Sequence, residues 1–266
     1  NTLNYLDNLK IYNIALYEAS KLIGFIHAKP IKLYINNIFI DIYYVDFLCV
    51  HKKYRKKNIA SLLISKLINS CNSKQIFIFK KENKQLPFNY INKSSYYYLH
   101  INSVKNINKK IDNIKFSNLE DIEDIYCFIN KIYKTKKIYN YLDIIQFKNL
   151  YINSNKKILI EYDLCNKIIA IIIFIEIKFN YNHVIFKTYD IENIYINGIK
   201  NYKILDYLII DCKNNNIDMI SCLNQSYNKY FIDKYNMKKG MTIYFHMYNY
   251  HLNKKIDNFN LLFNVL

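Results

Sequence analysis

The stretch VDFLCVHKKYRKKNIA, Val45 to Ala60, carries three local signals in a row. Val45 to Val50 is β-branched and aromatic and reads as the end of a strand. Lys52, Lys53, Arg55, Lys56 and Lys57 then form a basic turn that runs through Asn58. From Ile59 the apolar residues Ile59, Leu62, Leu63 and Leu67 recur at the spacing of one buried helical face. A helix therefore starts beside a cluster of mobile cations. Its first N–H groups are unpaired and carry partial positive charge, which suits phosphate. Asn58 is the expected N-cap. A solvated basic loop or a nucleic-acid patch uses the same charges, so this local pattern leaves those readings open.

Outward from that stretch, KLIGFIHA (Lys21 to Ala28) and Ile38 to Val50 read as consecutive antiparallel strands. Pro30 and Asn36-Asn37 punctuate them, and Ile76 to Phe79 returns as a strand. The second half repeats the theme. Leu119 to Lys131 is helical, with Glu120, Asp121, Glu123 and Asp124 placed to favour the helix dipole. Ile158 to Tyr162 and Ile168 to Lys178 form a hairpin across Asn166, and Val184 to Tyr189 is a further strand. Ile204 to Cys212 is a helix, and Met219 to Leu223 and Ile243 to Tyr250 are strands. The pattern of strands, helix and strands occurs twice, with a seam in the polar run Val104 to Asn113. The expected fold is α/β (α+β), a mixed sheet with flanking helices, in halves 1–105 and 106–266.

Composition narrows the classes. In 266 residues, 52% are hydrophobic and 22% charged, which is a globular rather than a disordered balance. Three Gly and two Pro exclude glycine-rich linkers, P-loops and dinucleotide fingerprints. The formal net charge of +17 favours anionic partners such as phosphates. Much of that charge is the residue usage of a very A/T-rich genome, with abundant Lys, Asn, Ile and Tyr and no Trp. Six scattered cysteines form no C-x-x-C pair, and the histidines show no metal-site spacing, so no metal site is expected. The longest apolar run, Ile168 to Ile175, is far shorter than the ~20 residues of a membrane span and reads as a buried strand. A cytoplasmic, monomeric protein with no transmembrane segment is the expectation, and because the chain begins at Asn1 rather than Met, residues are expected to precede it.

The run Phe47-Leu48-Cys49-Val50-His51-Lys52-Lys53 is the same as the F-L-C-V-H-K-K signature of the protein N-myristoyltransferases, and the chain resembles that family over most of its length. Lys21 to Ile26 is similar to the family's K-L-V-G-F-I. Tyr96-Tyr97-Tyr98 stands where the family has Y-W-H, and Ser221-Cys222-Leu223-Asn224 where it has N-A-L-D. Tyr248-Asn249-Tyr250 resembles L-Y-N-W, and Val265-Leu266 its apolar C-terminus.

The resemblance implies two fused acetyltransferase-like halves about a pseudo-two-fold axis, the first holding acyl-CoA and the second most of the peptide groove. It implies glycylpeptide N-tetradecanoyltransferase activity: myristoyl transfer from myristoyl-CoA, a substrate rather than a resident cofactor, to the N-terminal glycine of proteins. The implied oxyanion donors are the amides of Phe47 and Leu48, and the implied base is the terminal carboxylate at Leu266. Acyl-CoA contacts are implied at Phe47, Leu48, Cys49, Val50, Arg55, Lys56, Lys57, Asn58, Ile59 and Ala60, with Tyr98, Tyr189 and Asp190 as peptide-groove candidates. A related acyltransferase using another acyl chain is the nearest alternative. A basic nucleic-acid-binding protein is the more distant one, because no nucleic-acid motif appears and the aromatics lie within apolar strands.

Overall fold

A computed structural model describes residues 10–35, 37–71, 75–83, 86, 89–107, 111–152, 154–181, 183–198, 203–252 and 254–262. In chain order the strands and helices begin with β1 (Tyr12–Glu18), β2 (Lys21–Ile35), β3 (Ile38–Val50), α1 (Ile59–Ser70), β4 (Phe77–Glu82) and β5 (Tyr90–His100). They continue with β6 (Ile114–Phe116), α2 (Ile122–Tyr133), β7 (Ile138–Tyr141), α3 (Ile144–Ile152), β8 (Lys156–Tyr162), β9 (Ile168–Tyr181) and β10 (Val184–Ile196). The last are α4 (Lys203–Asn214), β11 (Met219–Leu223), α5 (Asn228–Lys234), β12 (Lys238–Tyr248) and β13 (Leu261–Leu262). The described residues fall into two compact units, one within 10–93 and 243–256, the other within 94–242 and 257–262.

In the first unit β1, β2 and β3 are antiparallel neighbours. The chain then crosses through α1, and β4 pairs parallel to β3, as a crossover connection of this length requires. The Ile243–Tyr248 part of β12 pairs antiparallel to β4. Alternation puts Ile26, Ala28, Tyr43, Val45, Phe77 and Phe79 on the face covered by Leu63 and Leu67 of α1. Gly24 makes that packing close. A Cβ there would lie 2.9 Å from Leu63 Cδ1 and 3.0 Å from Ile59 Cγ2, so the start of α1 seats directly on β2. Pro30, read from sequence as punctuation, lies inside β2. It is tolerated because the ladder with β1 ends at Tyr12↔Ala28, two residues earlier.

The second unit follows the same path: hairpin β9–β10, crossover α4, parallel β11, then antiparallel β5. Its fourth strand comes from the N-terminal side of the chain, whereas that of the first unit, β12, comes from the C-terminal side. β8 and β6 extend the sheet beyond β9, and β7 pairs with β13. Phe174, Tyr189, Leu208, Ile209, Ile220 and Phe231 form the core on the face covered by α4 and α5. α2 packs on β9 and β10 and is entered through a 3-10 turn, Leu119–Asp121, that carries the capping box: the side chains of Asn118 and Asp121 accept each other's amides at 3.2 and 2.9 Å.

Candidate active site

β3 and β4 pair only at Tyr43↔Phe77, Tyr44↔Ile78 and Val45↔Phe79. Both strands continue past those pairs, β3 to Val50 and β4 to Glu82, so they diverge. A cleft of about 440 Å³ opens at the divergence. Asp46, Phe47 and Leu48 line one wall, Ala60, Ser61 and Ile64 of α1 a second, and Phe79 to Glu82 with Leu86 a third. Apolar Ile64, Phe79 and Leu86 therefore share a cavity with Lys80 and Lys81. That is the lining a ligand with an aliphatic part and an anionic part requires.

The wall from β3 is irregular. Phe25 pairs with Cys49 and His27 with Asp46, which leaves Phe47 and Leu48 together opposite Ile26. This is a β-bulge, and Phe47 within it has φ 50. An aromatic residue in the left-handed region is uncommon and marks a backbone held for a purpose. Phe47 is 63% exposed and Leu48 39%, although both are apolar. The Phe47 N–H donates to Asp46 Oδ1 at 2.9 Å. Cys49 is exposed and Val50 half-buried, where Val50 pairs with Gly24.

The basic turn folds on itself. His51 Nδ1 accepts the Lys53 N–H at 3.3 Å, starting a single 3-10 turn over Lys52–Tyr54, so His51 has a structural role. Arg55 Nε donates to the Val50 carbonyl at 3.4 Å. The Tyr54 hydroxyl donates to the Glu18 carboxylate, and Lys57 Nζ stands 5.1 Å from the Tyr54 ring centroid. Lys52, Lys53, Arg55, Lys56, Lys57 and Asn58 are all exposed, while Ile59 and Ala60 are half-buried beneath them.

Asn58 corrects an expectation. It is left-handed at φ 57 and its side chain caps nothing, because that backbone turns the amide away from the first-turn N–H groups. With Lys56 also at φ 67, two left-handed residues precede the start of α1, whose first-turn N–H groups the Asn58 side chain leaves uncapped.

In the second unit, register separates the three peptide candidates. Tyr98 pairs with Ser221, and Ser221 with Asp190, so these three stand side by side on one face. Ser221 Oγ donates to Asp190 Oδ1 at 2.6 Å. Tyr189 points to the opposite face, fully buried against Phe174, and its hydroxyl donates to Asp211 Oδ2 at 3.1 Å. Burial raises the pKa of that hydroxyl, and the Asp211 carboxylate adds to the effect. Leu266 lies outside the described residues.

Ser61, Ile64, Phe79 to Lys81 and Leu86 were missed by the sequence reading. The signal that could have found them is the strand-helix-strand order itself, which brings the end of β4 alongside the end of β3. Among the described residues no group of three or more His, Cys, Asp or Glu gathers in metal-binding geometry, and no helix is long and apolar enough to cross a membrane.

The sequence model of the myristoyl-CoA:protein N-myristoyltransferase N-terminal domain matches residues 7–87. A glycylpeptide N-tetradecanoyltransferase of Plasmodium falciparum is 38% identical over 74 residues, 28% of this chain and 18% of that protein. A putative glycylpeptide N-tetradecanoyltransferase of Amsacta moorei entomopoxvirus is 29% identical over 219 residues, 77% of this chain and 67% of that one. The crystal structure of Saccharomyces cerevisiae N-myristoyltransferase with bound myristoyl-CoA superposes with a TM-score of 0.74 at 16% identity, covering 92% of this chain and 68% of that one. At that identity the superposition establishes the fold. The sequence match spans less than a fifth of the Plasmodium protein's own length.

Proposed function

We propose that this chain, a member of the N-myristoyltransferase family whose N-terminal domain it carries at residues 7–87, transfers a myristoyl group from myristoyl-CoA to the N-terminal glycine amine of proteins. The observation that carries the reading is the open divergence of β3 and β4. What supports it is that one cleft is lined by the bulged, left-handed Phe47, by apolar Ile64, Phe79 and Leu86, and by Ala60 and Ser61 of the first turn of α1.

In this reading the CoA phosphates lie on Arg55, Lys56, Lys57 and the backbone of Asn58 to Ala60, supported by the exposure of those cations and the uncapped helix start. The acyl chain runs along Leu48, Ile64, Phe79 and Leu86. The glycine nitrogen bonds to the thioester carbonyl carbon, the C–S bond breaks, and CoA departs as a thiolate that takes up a proton. Negative charge on the carbonyl oxygen in between is stabilised by the Phe47 and Leu48 amides. One such donor is worth roughly 10²–10³ in rate in a known oxyanion hole.

The α-ammonium of glycine must lose a proton first, since its pKa is ~7.7–8.0. By resemblance the acceptor is the Leu266 carboxylate. Tyr98 and Asp190, which share a face, are assigned to the peptide, and Tyr189 is withdrawn to the core by its burial.

The direct test is transfer of labelled myristate from its CoA thioester to a short peptide beginning with glycine. An N-acetylated copy serves as control, and a series of shorter acyl-CoAs is run alongside. Label on the free-amine peptide alone, with greatest rate for the tetradecanoyl donor, is the expected result. Faster transfer from short acyl donors would move the chain to another acyltransferase activity, and no transfer from any donor would remove the enzymatic reading.

A further inference from the structure

Asp46 stands one residue before the bulge and lines the same cleft as Phe47 and Leu48. Its Oδ1 accepts the Phe47 N–H at 2.9 Å. A carboxylate is a stronger acceptor than a thioester carbonyl, and a hydrogen bond to a charged group is worth more than a neutral one. An acyl donor arriving in this cleft thus meets its first backbone donor already occupied, by a group whose charge also repels a developing oxyanion. The fold supplies somewhere for that carboxylate to go. Asp46 pairs with His27, and Lys29, two residues further along β2, lies diagonally on the same face. Burial lowers the pKa of the Lys29 ammonium, and the Asp46 carboxylate works against that lowering, so the two groups are electrostatically coupled. The Phe47 side is held in place, since the His27 ring packs edge-on against the Phe47 ring at 6.2 Å and His27 Nδ1 is fixed to Asn13 Oδ1 at 2.8 Å. The movable partner is the carboxylate.

We propose that Asp46 is a displaceable gate on the oxyanion site: it occupies the Phe47 N–H in the unliganded protein and is released toward Lys29 when an acyl carbonyl takes its place. This positioning role rests on the acyl-CoA reading above.

Binding without an acceptor peptide tests the two ideas separately. Myristoyl-CoA is compared with S-tetradecyl-CoA, a thioether of the same chain length without the carbonyl, by calorimetry. Asp46→Ala is expected to tighten myristoyl-CoA about tenfold and to leave the thioether unchanged. Asp46→Asn, isosteric but a weaker acceptor, is expected to fall between, which guards against a folding defect in the alanine variant. Lys29→Met, which removes the receiving partner, is expected to weaken myristoyl-CoA and again spare the thioether. Equal effects of Asp46→Ala on both ligands, or no effect on either, overturn the gate while leaving the acyl-CoA site standing. Failure of both ligands to bind the wild-type chain overturns the acyl-CoA reading and the gate with it.

Discussion

Asn228 Oδ1 accepts the amide of Ile194 at 2.9 Å, while its Nδ2 donates to the carbonyls of Leu223 and Glu192 at 3.0 and 3.3 Å. β10 and β11 pair in parallel only from Thr188↔Met219 to Ile191↔Cys222, and β10 bulges between Ile191 and Asn193. This is the counterpart, in the second unit, of the β3–β4 divergence. The buried amide of Asn228 bridges it, so the equivalent gap is stapled shut by a side chain of α5. Asn228→Ala strands three backbone groups at once and should destabilise the chain by about 3 kcal/mol or more. Chemical denaturation checks this; a loss below about 1 kcal/mol would mean water or relaxation replaces the staple.

Lys56→Glu combined with Lys57→Glu reverses two exposed charges at the start of α1. Acyl-CoA binding should weaken at least tenfold at low ionic strength, with the difference shrinking as salt is raised. An unchanged dissociation constant at low salt places the phosphates elsewhere.

Register separates two neighbours on β10. Asp190→Asn should raise the KM for peptide without altering acyl-CoA affinity. Tyr189→Phe should leave the peptide KM alone and cost about 1–2 kcal/mol of stability, because Asp211 loses a buried donor. Steady-state kinetics together with denaturation distinguish the two, and the reverse assignment of effects would contradict the register.

Lys136 is 3% exposed, donates from Nζ to the Phe259 carbonyl at 2.9 Å, and lies 3.7 Å from the Phe259 ring centroid and 4.2 Å from that of Tyr227. Burial lowers its pKa from 10.5 to about 8, opposed by the Asp257 carboxylate. The two aromatic faces also favour the charged form, which narrows the window. Between those pH values the unfolded chain binds a proton that the folded chain has released, so stability rises with pH there. Lys136→Met should remove that rise, on the order of 2 kcal/mol, and the wild-type minus variant difference from pH 8 to 10 reads it. A flat difference would show that the ammonium loses nothing by burial.

A single residue added after Leu266 should abolish transfer while acyl-CoA binding persists, because the carboxylate assigned as base would be moved along the chain. Full activity in the extended protein would transfer proton removal to another group.

The local elements follow from the order of residue types along the chain. The β-branched and aromatic runs of β2 and β3, bounded by turn-forming residues, and the helical spacing from Ile59 are decided by which side chains must leave water, so these elements were readable without a structure. The identity of Phe47 to Lys53 with a family signature pointed to the same turn. Several features were decided only by tertiary contacts. Pro30 sits within a strand because its neighbour on that edge has already ended, and Asn58 adopts a left-handed backbone instead of capping. The cleft exists because β3 and β4 stop pairing after Val45 and Phe79, which depends on the partner strand rather than on either segment. For the same reason β12 serves the first unit and β5 the second. Periodicity tells a strand which face is buried, but it does not tell the strand which neighbour will hydrogen-bond to its edge. In this protein the candidate chemistry lies where that neighbour departs.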